Sequence, residues 1–110
     1  MATKIKVLNF GTLGTSEQAV YGPVALGKAV LVKNMRFVNS SGNTNNVTVM
    51  IKHSGDSSGY YVLPSSTSMG PNVMNSYSFE IALEYNDMLE AFANVAGTVE
   101  YFLSGIERDA

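Results

Sequence analysis

Cysteine is absent from the 110 residues, which removes disulfides and thiolate metal sites and leaves packing or oligomerisation to hold the fold. Histidine occurs once. His53 lies three residues before Asp56 in a Ser/Gly-rich stretch, and an imidazole with one carboxylate is too little for a catalytic triad or a zinc site. It reads as a solvated loop residue. No apolar run approaches the roughly 20 residues that cross a bilayer, and the Met1-Ala-Thr-Lys-Ile-Lys start lacks the apolar stretch of a secretory signal. No membrane partner is expected, and synthesis in a cytoplasm is. The Asn-x-Ser/Thr triplets at Asn39 and Asn46 then carry no meaning for glycosylation. A dense Lys/Arg run interleaved with aromatics is also missing, so nucleic acid is not an expected partner. Neither a sustained helical period nor an internal repeat is visible, which removes helical bundles, solenoids and propellers.

What is present suits one small β domain. A chain of this length with 45% hydrophobic residues can bury roughly 60–70% of its unfolded surface, enough for a single modest core. The net charge of -2 hides a split: residues 1–52 sum to +5 and residues 53–110 to -7. In a small domain such a split lets strands from the two halves face each other with opposite sign, or joins a basic segment of one subunit to an acidic face of the next.

The stretch from Lys28 to His53 holds two extended apolar runs around the polar segment Asn39-Ser-Ser-Gly-Asn-Thr-Asn-Asn46 and reads as a long β-hairpin. In the second run Val47, Val49 and Ile51 alternate with Thr48, Met50 and Lys52, the period of a half-buried strand. Further strands are expected over Thr3 to Phe10, Gln18 to Tyr21, Tyr60 to Leu63, Tyr77 to Leu83, Met88 to Asn94 and Thr98 to Ile106, with Ser65 to Asn75 irregular. Phe79 and Ile81 are expected in the core, and Glu80 between them in solvent. Roughly eight short strands separated by Gly, Asn, Ser and Pro turns predict an all-β fold, a single antiparallel β-sandwich or jelly-roll domain over residues 17–110. Residues 1–16 read as an extended N-terminal arm with a Gly11 to Ser16 linker, or as an edge strand of the same sheet.

Three patterns mimic catalytic sites. Gly22-Pro-Val-Ala-Leu-Gly27-Lys28-Ala29 has the spacing of a phosphate-binding P-loop, but Ala29 stands where Ser or Thr must hold magnesium. A strand follows where the motif needs a helix, so the segment reads as a tight turn at Gly27. Glu80, Glu84 and Glu90 on outward strand positions read as solvated acids that keep an edge from aggregating, not as a glycosidase pair. Tyr60, Tyr61, Tyr77, Tyr85 and Tyr101 suit a sugar-binding face or the core and rim of a sandwich. No catalytic activity and no cofactor are predicted. The candidate contact residues are Lys4, Ile5, Lys6 and Val7, with alternation suited to strand addition, and the adaptable Met69, Val73 and Met74 around Gly70-Pro71.

Gly11-Thr-Leu-Gly-Thr-Ser16, Tyr21, the Gly27-Lys28 turn, the run from Val30 to Val38, Asn39-Ser-Ser-Gly42 and Val47-Thr-Val49 resemble small β-sandwich structural proteins of tailed bacteriophage virions. Leu83-Glu-Tyr-Asn-Asp87 and Leu103-Ser-Gly-Ile-Glu107 are similar to their C-terminal half. One difference is that Ala25-Leu26 precede Gly27, while Pro23 lies earlier than in those proteins. The resemblance implies a virion component without catalysis, a capsid decoration or cement protein or else a tail or neck adaptor, made in the host bacterial cytoplasm. Its implied partners are the major capsid protein or other virion proteins. The Met-rich loop, together with a core that is small for a cysteine-free chain, predicts a homo-oligomer, a trimer by preference. A carbohydrate-binding sandwich module is the alternative from another class.

Overall fold

The computed structural model describes residues 3–53, 59–64 and 66–109, with the side chains of residues 3–6 and of Phe79 outside that description. The strands are β1 (Thr3–Thr12), β2 (Gln18–Tyr21), β3 (Lys28–Asn39), β4 (Asn45–Lys52), β5 (Tyr60–Tyr61), β6 (Thr67–Met69), β7 (Val73–Leu83), β8 (Met88–Ala93) and β9 (Val99–Asp109). They form two antiparallel sheets: β1-β9-β3-β7, and β2-β8-β4-β5 with β6 also paired to β4. The fold is therefore all-β, and its arrangement is consistent with a β-sandwich.

The expected hairpin between β3 and β4 does not form. β3 lies between β9 and β7, whereas β4 pairs with β8, β5 and β6 in the other sheet. The connection is an arch from one sheet to the other. The reason is Asn39, fully buried at the end of β3, whose Nδ2 donates to the carbonyls of Asn43 (2.9 Å), Gly70 (2.9 Å) and Met69 (3.3 Å). Its Oδ1 accepts from the Ser41 amide (3.1 Å) and hydroxyl (3.0 Å) and from Asn45 Nδ2 (3.0 Å). These bonds satisfy the buried Asn39 and Asn45 side chains at the two ends of an arch whose middle residues, Gly42 to Thr44, are exposed, and an unpaired buried group at either end would be costly.

The same switching runs through most of the chain. Of the successive strands only β4, β5 and β6 share a sheet, so the pairings are nested: β4 with β5 and β6, β3 with β7, β2 with β8, β1 with β9. β5 and β6 lie along one partner, and the break between them holds Pro64 and Ser66, the latter at φ 54°. The irregular segment expected from Ser65 to Asn75 thus contains β6 and the start of β7.

Val30, Val32, Met35 and Phe37 of β3 all face the core, although the three-residue step from Val32 to Met35 would put them on opposite faces of a regular strand. A bulge resolves this. Val32 lies opposite Gly105 and Asn34 opposite Ser104, leaving Lys33 as the extra residue. Gly105 permits it, since a β-carbon there would run into the Leu31 carbonyl. Leu83, Leu89, Val99 and Leu103 complete the interior with Val47 and Val49, and Ile81 packs partly buried against them. Phe79, expected beside it, has a side chain outside the described part. Thr48 and Met50 are buried too, against the half-buried expectation for β4. The Ser66 amide donates to Thr48 Oγ1, and a β-carbon at Gly59 would stand 3.0 Å from that of Met50, while the Val62 amide donates to the Val49 carbonyl alongside β5.

Residues 3–12 pair with β9 of the same chain, from Thr3 opposite Arg108 to Thr12 opposite Glu100, with one register shift between Val7 and Asn9 that leaves Leu8 as the extra residue. This is the edge-strand arrangement, with β1 as an integral member of its sheet. Opposite charges from the two halves of the sequence meet, as Lys28 Nζ lies 2.7 Å from Asp109 and Lys33 Nζ 2.7 Å from Glu80. The segment from Gly22 ends in a turn over Ala25 to Lys28, closed by the Lys28 amide donating to the Ala25 carbonyl (3.1 Å) with Gly27 at φ 82°, and Lys28 and Ala29 begin β3.

Asn39→Ala leaves several buried groups unpaired and is expected to destabilise the domain by about 3 kcal/mol. Asn43→Ala, which removes only an exposed side chain, is expected to stay within about 0.5 kcal/mol in the same urea titration.

Candidate interaction surface

Strand alternation sorts the β1-β9-β3-β7 sheet into a core face and an outer face. On the outer face the register sets Phe10 opposite Phe102 and Phe102 opposite Arg36. The adjacent row runs Thr12, Glu100, Val38, Met74, and another runs Val7, Ser104, Asn34, Ser78. Phe10 is 67% exposed and Phe102 39%, their rings stacked with centroids 6.2 Å apart and planes 25° apart. Two stacked phenyl rings left in solvent give up a favourable burial, so such a pair marks a contact surface more strongly than a single exposed side chain does.

The rings line an open groove of about 470 Å³ with Arg36, Val38 and Glu100. Its floor is fixed. The Tyr101 ring lies buried under β1, where Asn9 Nδ2 donates to its hydroxyl (3.3 Å) and to the Val20 carbonyl. A β-carbon at Gly11 would stand only 3.1 Å from that hydroxyl, so the small residue admits the tyrosine. Burial holds the Tyr101 phenol above its ordinary value. Tyr21 is raised as well, by burial and then by the nearby Glu107 carboxylate. On the β7 side Asn34 Nδ2 donates to Ser76 (3.1 Å) and Ser78 (3.2 Å), a polar strip beside the apolar one. A flat apolar surface with one cation and one carboxylate at its rim can bind by excluding water; it offers no nucleophile with a base beside it.

The expected contact residues divide. Val7 (47% exposed) and Met74 (54% exposed) lie on this outer face, and Val73 (38% exposed) is beside Met74 at the start of β7. Met69 does not belong to the surface: β6 sets it opposite Asn45 and it is 1% exposed, inside the core. The backbones of Lys4, Ile5 and Lys6 run along β9 opposite Glu107, Ile106 and Gly105, and their side chains lie outside the described part. The sequence reading missed Phe10, Phe102, Arg36 and Val38. Phe102 carried a signal, being a large apolar residue between Glu100 and Ser104 on the polar side of its strand.

The five tyrosines do not form one face. Tyr60 and Tyr61 are exposed on β5 of the other sheet, Tyr85 sits in a turn, Tyr101 is buried, and Tyr77 meets Phe37 edge-on at 6.2 Å. Glu80 on β7 and Glu90 on β8 fall in different sheets, which separates the carboxylates considered as a pair. His53 Nδ1 lies 3.2 Å from Oδ1 of the buried Asp87, and Asp56 is outside the described residues. Asp87 also accepts from the Glu84 amide (3.0 Å), which ties it to its own turn. No group of three His, Cys, Asp or Glu side chains that could hold a metal occurs among the described residues. Compared with family models, curated proteins and solved structures, the chain matches none.

Because the folded-state values of Tyr21 and Tyr101 lie above the unfolded ones, the stability tied to their neutral phenols is intact below about pH 10 and is lost as pH rises through the raised values. Urea titrations at pH 9 and pH 11 are expected to show this decline, and Tyr101→Phe is expected to make it shallower.

Proposed function

We propose that the protein is a non-enzymatic structural component of a tailed-bacteriophage virion, a capsid decoration or cement protein that docks the outer face of its β1-β9-β3-β7 sheet onto capsid subunits. The observation that carries this reading is the stacked, exposed Phe10–Phe102 pair, placed with Val7, Val38 and Met74 on one sheet face. An apolar strip of this kind on a small rigid domain suits stapling to a preformed surface.

The nested strand pairing supports a jelly roll as the finer description. Counting β5 and β6 as one interrupted strand gives eight strands, and the order β1-β9-β3-β7 over β2-β8-β4-β5 is that of a long hairpin wound into two sheets. Fold alone does not fix function, and the same sandwich serves capsid, tail and lectin roles. The second reading, a carbohydrate-binding module, draws on the same pair of rings in their groove with Arg36 and Glu100, since sugar faces stack on aromatics.

One experiment separates these. The wild-type protein and the Phe10→Ser/Phe102→Ser double variant are sedimented with capsids assembled without this chain, with isolated tails, and probed on a glycan array. Capsid binding that falls at least tenfold in the variant, with its melting temperature little changed, is the expected result. Binding to tails alone would make the protein an adaptor, and binding to glycans alone a sugar module; either outcome overturns the decoration reading.

A further inference from the structure

The two sheets end differently. The β2-β8-β4-β5 sheet has short edges: β2 has 4 residues and a register shift, β5 has 2 and β6 has 3. Short, irregular edges are a common way to keep a sheet from pairing with another chain. The other sheet ends in β1, with 10 residues, and β7, with 11; each has one register shift, at Val7/Asn9 in β1 and between Ser78 and Ile81 in β7, and the contrast between the sheets is therefore one of edge length. Neither contains proline, and the second edge of each carries no paired strand among the described residues. Long edges of this kind are templates for further strands.

We propose that the β1 edge of one copy pairs with the β7 edge of a second copy, continuing the β1-β9-β3-β7 sheet from subunit to subunit. The direction of the strands permits it. Every neighbour in the sheet is antiparallel, so β7 runs opposite to β1, and a second copy set alongside in the same orientation presents β1 antiparallel to β7. Charge selects the same pairing. By sequence β1 holds Lys4 and Lys6 and no acid, while β7 holds no base; its Glu80 is met by Lys33 of β3 at 2.7 Å, and the acid left at this edge is Glu84, just past the end of β7. Two β1 edges would bring lysines together and two β7 edges would bring glutamates together, whereas β1 against β7 joins opposite signs.

Such a contact is heterologous, and it closes into a ring where the rotation between copies allows. The outer faces then join, so that several Phe10–Phe102 pairs are presented on one side. This inference stands on the sheet edges and the strand charges, and it holds whichever partner the aromatic face meets.

The cysteine-free chain gives a clean test by disulfide trapping in the full-length protein. Val7→Cys is mixed in turn with Ser76→Cys, Ser78→Cys and Ala82→Cys chains under oxidised glutathione, and non-reducing gels report the cross-links. The expected result is a mixed dimer in at least one combination, at several times the yield of any single variant alone, and a closed ladder when both cysteines of that pair are on one chain. Sedimentation of the unmodified protein is expected to show an oligomer that Glu84→Lys weakens at least tenfold, and Lys4→Glu with Lys6→Glu in the same chain restores it. Cross-linking of Ser78→Cys chains with each other at equal yield would replace this contact with a β7–β7 dimer. Monomer throughout the micromolar range with no cross-link would overturn the proposal.

Discussion

The Asn39 side chain is the contact on which the arrangement of the strands depends. It is buried at the corner where the chain leaves one sheet for the other, and it ties the end of β3 to the 40–44 loop, to Asn45 at the start of β4 and to the β6–β7 connection. A hydrocarbon there would leave carbonyls and amides unpaired inside the protein. With the carboxamide in place the β3–β4 connection can cross from one sheet to the other, β4 can join β8, and β3 is left between β9 and β7. The other corners at that end are held by backbone bonds, such as the Ser40 amide to the Thr98 carbonyl (3.1 Å) and the Gly97 amide to the Leu13 carbonyl (3.1 Å).

Strand identity was readable from alternation where a strand places one face on the core, as β8 and the first half of β9 do. Gln18–Tyr21 agrees with the sequence reading at both ends, and Lys28–Asn39 and Met88–Ala93 differ from it by a single residue. Connectivity was not readable, since a hairpin and an arch leave the same alternation in their strands and both accept a polar Asn/Ser/Gly segment. The difference lies in whether the polar residues at the two ends are buried, and nothing in the order of the residues states that. β6 was hidden for another reason. It is three residues long, follows Pro64 and a positive-φ serine, and takes its order from pairing with β4 rather than from any pattern of its own.

The surface was half legible. Val7 stood out for its alternation with Lys4 and Lys6 and Met74 as an apolar residue in a Gly/Pro segment, and both fall on the exposed face. Met69, chosen on the same grounds, is core, because a three-residue strand turned it inward. The Phe10–Phe102 pair could not be inferred, as its members are 92 positions apart and meet only through the β1–β9 register. The same sheet ends in the two long strands β1 and β7, so the exposed rings and the long edges belong to one sheet. The second sheet is ended by short strands and carries its exposed rings, Tyr60 and Tyr61, on the two-residue β5.

Hydroxyl-radical footprinting of the protein, free and bound to capsids, tests most directly that this sheet face is the docking surface. The account predicts that Phe10, Phe102 and Met74 are oxidised in the free protein and protected on the particle, while Tyr60 and Tyr61 on the other sheet react equally in both. Protection of Tyr60 and Tyr61 with Phe10 and Phe102 still reactive would contradict it.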